Sequence, residues 1–332
     1  MKRVLVTGGA GYVGSVLVGR LLEEGHEVIC LDSLLFGGES LLHVWQHPRF
    51  SFVKCDLNDH AALDRVLAQH AYDAVVHLAA IVGDPACRRE PELARSTNGT
   101  SSKRLVDRCV ELGIPRFVLA STCSNYGKMD EAGAFVDEDS PLAPISLYAE
   151  LKVGLEQYLL EEMPRREGFC PVVLRFSTVY GVSPRMRFDL TVNEFTKDLA
   201  LGRELEVFGE QFWRPYCHVG DFARAIMAVL DAPESLVAYD VFNVGETDEN
   251  YTKRMLVDAI LEQIPDGRVT KVHRDEDPRD YRVNCDKINE RLGFEISMTV
   301  PEGIAEVRTI VSDGLVGDPD DARYFNIPHQ RP

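Results

Sequence analysis

The sequence predicts an α/β fold in which a doubly wound parallel β-sheet is covered by helices on both faces. The first observation is that short apolar runs alternate with segments of helical spacing from the first residues to about residue 180. The second is a glycine-rich turn, Gly8 to Gly14, between the first apolar run and the first helical segment. Regular strand–helix alternation produces parallel strands joined by crossover helices.

The glycine turn lies in the context that a dinucleotide-binding unit requires. The apolar run Val4 to Val6 precedes it, and helical spacing follows it. Gly8 and Gly11 allow the backbone to turn tightly and to approach a pyrophosphate, whereas Gly14 allows the helix to pack on the strand. Free N–H groups at the start of that helix would face the phosphates. We therefore predict a Rossmann-type domain; the alternative is an ordinary tight turn without a ligand.

The second strand ends in an acidic residue that suits this interpretation. A β-like run over residues 26–31 is followed directly by Asp32. Its carboxylate can accept hydrogen bonds from an adenosine ribose. The same carboxylate would repel a 2′-phosphate, and residues 33–38 contain no Arg or Lys to neutralise one. The sequence therefore predicts NAD rather than NADP.

The remaining elements follow the same alternation and then become less regular. Further strands are predicted at 50–54, 74–78, 117–120 and 171–176, with helices at 92–111 and 147–165 and a loop at 128–145. After Gly181, helices are predicted at 190–201, 219–232, 252–264 and 301–312, short strands at 205–208, 239–244 and 269–272, and a surface tail over the last twenty residues. We predict a Rossmann domain over residues 1–180, to which the chain returns at about 215–245. Residues 181–332 are expected to form mainly a smaller C-terminal α/β substrate-binding part and the tail.

Composition restricts the possible partners. The 332 residues carry a net charge of −17, which argues against nucleic acid or an anionic membrane as a partner. The eight cysteines include no Cys-x-x-Cys pair, and the nine histidines show no metal-ligand spacing, so no metal site is expected. No signal peptide or membrane-spanning stretch is evident. Free thiols within apolar runs favour a cytoplasmic location.

Tyr148 and Lys152 are the first candidates for catalysis. They are four residues apart on a predicted helix and therefore share a face. An ammonium group near a phenol favours the phenolate and would lower the pKa of Tyr148 from its ordinary value of about 10. A pair at this spacing is more often a surface feature. Its position favours catalysis, because the pair follows the polar strand end at Ser121 and Thr122, where open α/β sheets bind ligands.

Together these motifs resemble the extended short-chain dehydrogenase/reductase family, in its branch of NAD-dependent nucleotide-sugar epimerases and dehydratases. The matching segments occur in the family's order along nearly the whole chain. They are the glycine turn Gly8 to Gly14, Asp32, Cys55 to Leu57, His77 to Ala80, Ser121 to Gly127, Tyr148 with Lys152, Arg175 to Gly181, and Arg214 to Asp221.

The resemblance implies a role for each matched residue. Tyr148 would be the catalytic acid/base, Lys152 would bind the nicotinamide ribose, and Thr122 would hydrogen-bond the reacting sugar hydroxyl or carbonyl. The implied NAD-binding set is Gly8, Gly11, Tyr12, Val13, Asp32, Asp56, Leu57, Leu78, Ala79, Ala80, Asn98, Tyr148 and Lys152. The implied substrate-binding set is Ser124, Thr178, Arg214 and Arg274. Both arginines would hold a diphosphate, although Arg274 is equally well interpreted as a surface residue.

Two departures from the family pattern bear on the reaction. Dehydratases of the family carry an Asp–Glu pair directly after the catalytic threonine, where this chain has Cys123 and Ser124. Neither side chain is an acid strong enough to protonate a leaving hydroxyl. Thr178 replaces an asparagine that contacts the substrate diphosphate in many members. The identity of the nucleotide sugar therefore stays open.

The leading hypothesis is a nucleotide-sugar epimerase, most readily acting at C4 through transient hydride transfer to NAD. A reductase of a nucleotide-4-keto-sugar would use the same residues but exchange its cofactor in each turnover. A 4,6-dehydratase and a non-catalytic dinucleotide-sensing protein are less favoured. The expected partner is a nucleoside-diphosphate sugar. The resemblance also implies a homodimer formed through the helices at 92–111 and 147–165.

Overall fold

The computed structural model describes residues 1–128, 134–272 and 279–326. Its strands are β1 (Arg3–Thr7), β2 (Glu27–Asp32), β3 (Phe50–Lys54), β4 (Ala74–His77), β5 (Arg116–Thr122), β6 (Phe135–Val136), β7 (Cys170–Phe176), β8 (Thr178–Tyr180), β9 (Glu204–Phe208), β10 (Trp213–His218), β11 (Asp240–Val244), β12 (Asn250–Thr252), β13 (Arg268–Val272) and β14 (Arg282–Val283).

The helices are α1 (Tyr12–Glu23), α2 (His60–Gln69), α3 (Asp84–Arg89), α4 (Pro91–Ala94), α5 (Ser102–Glu111), α6 (Leu147–Gln157), α7 (Thr191–Ala200), α8 (Val219–Asp231), α9 (Glu234–Val237), α10 (Lys253–Gln263), α11 (Asp286–Leu292) and α12 (Val300–Ser312).

Seven parallel strands form the central sheet in the order β11-β7-β5-β4-β1-β2-β3. Side chains alternate between its faces, because successive residues of a strand point to opposite sides. Val4 and Val6 pack with α1 and α8 on one face, whereas Leu5 packs with α2, α5 and α6 on the other. This arrangement confirms the predicted doubly wound Rossmann-type fold.

The second half of the chain adds three small sheets. They pair β12 with β10 and β8, β13 with β9, and β14 with β6. A separate apolar cluster joins α7, α10 and α12 through residues such as Val192, Leu256 and Ile304. β11 belongs to the central sheet instead, where it pairs with β7. The division into two domains at residue 180 stays a prediction.

The two long helices predicted at 92–111 and 147–165 are both interrupted. A π-helical turn, Arg95–Ser101, separates α4 from α5, and a second one, Tyr158–Glu162, follows α6. The helical path ends at Met163 because Pro164 disfavours helical geometry in the residue before it.

The expected surface tail holds for Leu315, which is 74% exposed, but not for the end of the described chain. Phe325 is 3% exposed and packs in a cluster with Met186, Phe188 and Val307. The main-chain N–H of Asn326 donates to Asp189 at 3.0 Å. Phe325 is buried because an apolar cluster offers it a complementary surface, although the residues around it in the sequence are polar.

Candidate active site

A cavity of about 720 Å³ opens at the carboxyl ends of β1, β4 and β5. Most of the predicted site residues line it: Gly8, Gly11, Tyr12, Val13, Asp32, Asp56, Leu57, Leu78, Ala79, Ala80, Thr122, Ser124, Tyr148, Lys152 and Thr178. Asn98 and Arg214 lie outside this wall. Arg274 lies outside the described residues.

The glycine turn forms a cradle made of backbone. Gly8 has a φ of 74°, and a Cβ there would lie 2.7 Å from the main-chain nitrogen of Ala79. A Cβ on Gly14 would lie 2.2 Å from the carbonyl oxygen of Gly8. The turn therefore packs against both the β4 loop and the start of α1. Its exposed backbone and the helix N-terminus fit a dinucleotide phosphate.

Asp32 is held in place by main-chain donors. Its Oδ2 accepts from the Ala10 N–H at 3.0 Å and its Oδ1 from the Leu34 N–H at 2.8 Å. Burial raises the pKa of Asp32 above its ordinary value, and the two N–H donors oppose that change. The carboxyl is thus oriented where β2 ends, which suits hydrogen bonds to a ribose.

Asn98 supports the wall from behind. Its Oδ1 accepts from the Ile81 N–H at 2.8 Å, and its Nδ2 donates to the Ile81 carbonyl oxygen at 2.9 Å. Ile81 itself lines the cavity. The structure therefore assigns Asn98 to fixing the β4 loop, and the direct cofactor contact implied by the resemblance stays a prediction.

Tyr148 and Lys152 project from the first turns of α6. Ser146 caps this helix by accepting the Ala149 N–H at 3.3 Å. The Lys152 Nζ donates to the Ala120 carbonyl oxygen at 2.6 Å and lies 5.9 Å from the centroid of the Tyr148 ring. Lys152 is thereby anchored to β5, beside the phenol that it was expected to influence.

The expected lowering of the tyrosine pKa is wrong for the groups that the protein supplies. Burial is the largest influence and raises the pKa of Tyr148, and Cys87 and Asp84 raise it further. The Arg187 guanidinium lowers it by less. Burial also lowers the pKa of Lys152 to about 8. The spacing of four residues correctly predicted that the two side chains lie close together. It could not predict how deeply they are buried, and burial determines both pKa values.

A buried ionic network clamps α6 to the sheet. Glu156, one turn beyond Lys152, forms a salt bridge of 2.8 Å with Arg175 of β7. The Arg175 Nη1 also donates to the Tyr126 hydroxyl at 2.9 Å. Ser121 donates a short hydrogen bond to Glu156 from the end of β5. The network fixes the helix that carries Tyr148 against the strand end that carries Thr122.

The two positions after Thr122 have different environments. The Cys123 thiol is buried and donates to the Arg175 carbonyl oxygen at 3.2 Å, and burial raises its pKa strongly. Ser124 faces the cavity, where its Oγ accepts from the Tyr281 hydroxyl at 3.4 Å. Neither group is an acid at neutral pH.

Of the two predicted arginines only Arg214 lies within the described residues, and it does not line the cavity. The Arg214 guanidinium lies 5.4 Å from the ring centroid of Tyr281, behind the wall. The cavity is lined instead by Arg185, Arg187 and Arg279. The density of arginine between Ser183 and Asp189 was a visible signal in the sequence, but no spacing rule located these side chains.

Two of these arginines have acidic partners. Arg187 forms a bidentate pair with Asp189, at 2.8 and 2.9 Å. Arg279 pairs with Asp84 at 3.1 Å. Asp84 also accepts from the Ser146 hydroxyl at 2.6 Å, so it connects the cap of α6 to the far wall.

Two further findings concern the described ranges only. They contain no group of three or more His, Cys, Asp or Glu side chains arranged to hold a metal ion. They also contain no helix that combines the length and apolar character needed to cross a bilayer.

Fold and cavity together define a dinucleotide-dependent oxidoreductase of the extended short-chain dehydrogenase/reductase type. Its marks are the glycine cradle, Asp32 and a tyrosine–lysine pair at the strand ends. The model of the NAD dependent epimerase/dehydratase family matches residues 4–245, and the chain belongs to that family.

Relatives within the family differ in their reactions. The chain is 32% identical over 317 residues to a dTDP-glucose 4,6-dehydratase of Streptomyces niveus, covering 92% of this chain and 91% of that one. It is 30% identical over 311 residues to a UDP-glucose 4-epimerase of Azospirillum brasilense, covering 88% and 86%. The structure of a Thermus thermophilus UDP-glucose 4-epimerase in complex with NAD is similar, with a TM-score of 0.81, 28% identity and coverage of 95% and 100%. NAD is the cofactor of this enzyme, as predicted.

Proposed function

We propose that this enzyme is an NAD-dependent nucleotide-sugar epimerase that acts at C4 through a keto-sugar. Relatives with epimerase and dehydratase activity are about equally similar to the chain. The proposal therefore depends on the site itself. The observation that carries it is the Cys123–Ser124 pair beside a complete set of Tyr148, Lys152 and Thr122.

The reaction needs little beyond these three side chains. Tyr148 removes the proton of the C4 hydroxyl as the ketone forms and returns it when the alcohol is restored. Because burial raises the pKa of Tyr148, this step needs the positive charge that bound NAD would add to the site. Thr122 hydrogen-bonds the reacting oxygen, and Lys152 holds the cofactor ribose and keeps positive charge near the phenol. Bound NAD, which the glycine turn, Asp32 and Lys152 would hold, would supply the acceptor and then the donor of the hydride that leaves one face of the sugar carbon and returns to the other.

A dehydratase requires more from the protein. Loss of a hydroxyl needs a proton donor for that leaving group as well as a base for the carbon acid. The buried Cys123 thiol, whose pKa is raised, supplies neither function, and a serine hydroxyl is a still weaker acid. The cavity wall thus supports reversible hydride transfer at a secondary alcohol.

The test is to incubate the purified enzyme with UDP- and GDP-sugars in deuterated water without added cofactor. We expect epimerised sugar with unchanged mass and no deuterium on carbon. Loss of one water, or deuterium at C5 or C6, would show dehydration. Turnover that starts only with added NADH or NADPH would show a keto-sugar reductase, and no conversion under either condition would favour a sensing role.

We also propose that the enzyme is a homodimer in the cytoplasm. Leu93, in the segment 92–111 that the family resemblance assigns to a homodimer contact, and Leu112, which directly follows that segment, are 39% and 40% exposed. All eight cysteines are buried free thiols, which suits a reducing cytoplasm. Light scattering at micromolar concentration should give twice the chain mass; a monomer would exclude a stable dimer.

A further inference from the structure

Arg185 is a buried cation in the cavity wall. It is 6% exposed, and its Nε and Nη2 atoms make no hydrogen bond to any described residue. Burial lowers its pKa to about 10, with a contribution from the neighbouring Arg187, so the guanidinium remains charged at neutral pH. A buried charge without a partner is unfavourable unless a ligand supplies one. Arg185 therefore points to an anion bound in this cavity.

The segment that carries Arg185 is tied to the first turn of α1. The Tyr12 hydroxyl donates to the Gly181 carbonyl oxygen at 2.5 Å, and the Ser183 hydroxyl donates to the Tyr12 carbonyl oxygen at 2.7 Å. The Arg185 N–H donates to the Ser183 Oγ at 3.3 Å. These bonds hold Arg185 near the N-terminus of a 12-residue helix whose N-cap, Gly11, has no side chain to satisfy the free N–H groups.

Arg185 belongs to the nucleotide side of the cavity. Its guanidinium lies 4.4 Å from the ring centroid of Phe36, in the loop after Asp32. The Asp32 carboxylate raises the pKa of Arg185, although burial outweighs it. Arg187, two residues further on, is already neutralised by Asp189. The unpaired cation thus lies on the side of the cavity that the loop after Asp32 and the start of α1 form.

We propose that Arg185 clamps the diphosphate of NAD against the N-terminus of α1 and slows release of the cofactor. A guanidinium fork matches two phosphate oxygens at once, and the helix terminus supplies N–H donors and a positive dipole to the same group. The glycine turn alone would hold the diphosphate from one side. Arg185 closes it from the other, from a segment about 170 residues later in the chain.

The clamp has a consequence that rests on the proposed epimerase activity. An epimerase returns the hydride to the same substrate molecule, so its cofactor has no reason to leave between turnovers. A reductase must exchange its cofactor each time. Retention of NAD by Arg185 fits the first reaction, and it can be measured without any sugar.

The test measures nucleotide binding by calorimetry on the full chain after removal of bound nucleotide. The variant is Arg185→Met, and the control is Arg254→Met, which removes an exposed arginine paired with Glu210. We expect Arg185→Met to lower the affinity for NAD and for ADP about 10- to 100-fold, which is the usual effect of losing a hydrogen bond to a charged group. The affinities for adenosine, UDP and GDP should change less than about twofold. Less NAD should remain bound to the variant than to the wild type after purification.

Thermal unfolding separates this role from a structural one. The nucleotide-free Arg185→Met variant should melt at the same temperature as the wild type or higher, because a buried unpaired charge has been removed. The rise in melting temperature on adding NAD should shrink. If the methionine variant does not fold, Arg185→Lys serves instead: it keeps the charge but loses the guanidinium fork, and it should bind NAD and ADP more weakly than the wild type while its affinity for adenosine stays unchanged.

Three results would overturn the proposal. Unchanged affinity for NAD and ADP in a folded variant would remove Arg185 from the cofactor site. Weaker binding of UDP or GDP together with unchanged binding of NAD would assign the guanidinium to the substrate diphosphate. Equal losses for adenosine and NAD would mean damage to the adenosine site. None of these assays depends on turnover, so an error in the proposed reaction would leave them interpretable.

Discussion

Glu194 offers a quantitative test of how dry the cavity is. It lies on α7 with its side chain in the cavity wall. Burial raises its pKa from 4.5 to about 7. The negative charges of Asp198 and Asp189 act in the same direction, whereas Lys197 and Lys253 lower it. At neutral pH, protonated and ionised forms should therefore coexist.

The raised pKa has a defined effect on stability. The carboxyl ionises near 4.5 in the unfolded chain and near 7 in the folded one, and 7 − 4.5 gives 2.5 pKa units. The stabilisation is complete below pH 4.5 and is lost as the pH rises through 7. At 1.36 kcal/mol for each unit the upper bound is roughly 3 kcal/mol. Because the carboxyl faces a cavity open to solvent, we expect about 1–2 kcal/mol.

The assay is urea unfolding of Glu194→Gln and wild type at two pH values. Glutamine does not titrate, so the variant should match the wild type at pH 5 and exceed it by about 1–2 kcal/mol at pH 8. Glu262→Gln, on the exposed face of α10, is the matched control and should show no such divergence. A difference between Glu194→Gln and wild type that is the same at both pH values would refute the reasoning.

Four further variants test the site and its support. Tyr148→Phe should lower turnover by a factor of about 10²–10⁴ while NAD affinity stays nearly constant, and a variant that keeps a tenth of the wild-type rate would contradict its role. Lys152→Ala should lower both the rate and NAD affinity, measured by kinetics and calorimetry. Wild-type enzyme should bind NADP at least about tenfold more weakly than NAD, a difference on the order of 1.4 kcal/mol, and Asp32→Ala should make that difference smaller. Equal affinities of the wild type for NAD and NADP would exclude discrimination by Asp32. Glu156→Ala leaves Arg175 buried without its carboxylate and should cost about 3–5 kcal/mol in urea unfolding; a loss below about 1 kcal/mol would mean that this network contributes little to stability.

The first half of the fold was predictable because its signals are local. The apolar run of β1, the glycine turn and the helical spacing of α1 follow one another without a gap. β10 was not predicted, because Arg214 and His218 interrupt its apolar pattern. His218 is accommodated by a distant partner, since its Nε2 lies 2.9 Å from a Glu306 carboxylate oxygen. Only the folded chain brings that partner to it.

The site was predictable to the same extent. Tyr148, Lys152 and Thr122 were predicted to lie together because two of them share a helix face and the third ends a strand, and all three line the cavity. Arg185 and Arg279 were missed, because their positions depend on the paths of irregular segments. The same difficulty applies to Phe325, whose burial depends on the apolar cluster around Phe188. Polarity and spacing describe a segment but do not give the direction in which a loop runs.

The distribution of the cavity wall along the chain has a consequence for folding. One part of the wall is built from residues between Gly8 and Asn58, which include the glycine turn and Asp32, whereas another part, which includes Arg185, comes from residues 176–194, 279–281 and 325–326. During synthesis the first set leaves the ribosome long before the last, and early segments fold first. We expect NAD to bind weakly to this first set of residues before Arg185 and the rest of the later set complete the site. Nucleotide present during refolding should therefore act as a template and raise the yield of native enzyme.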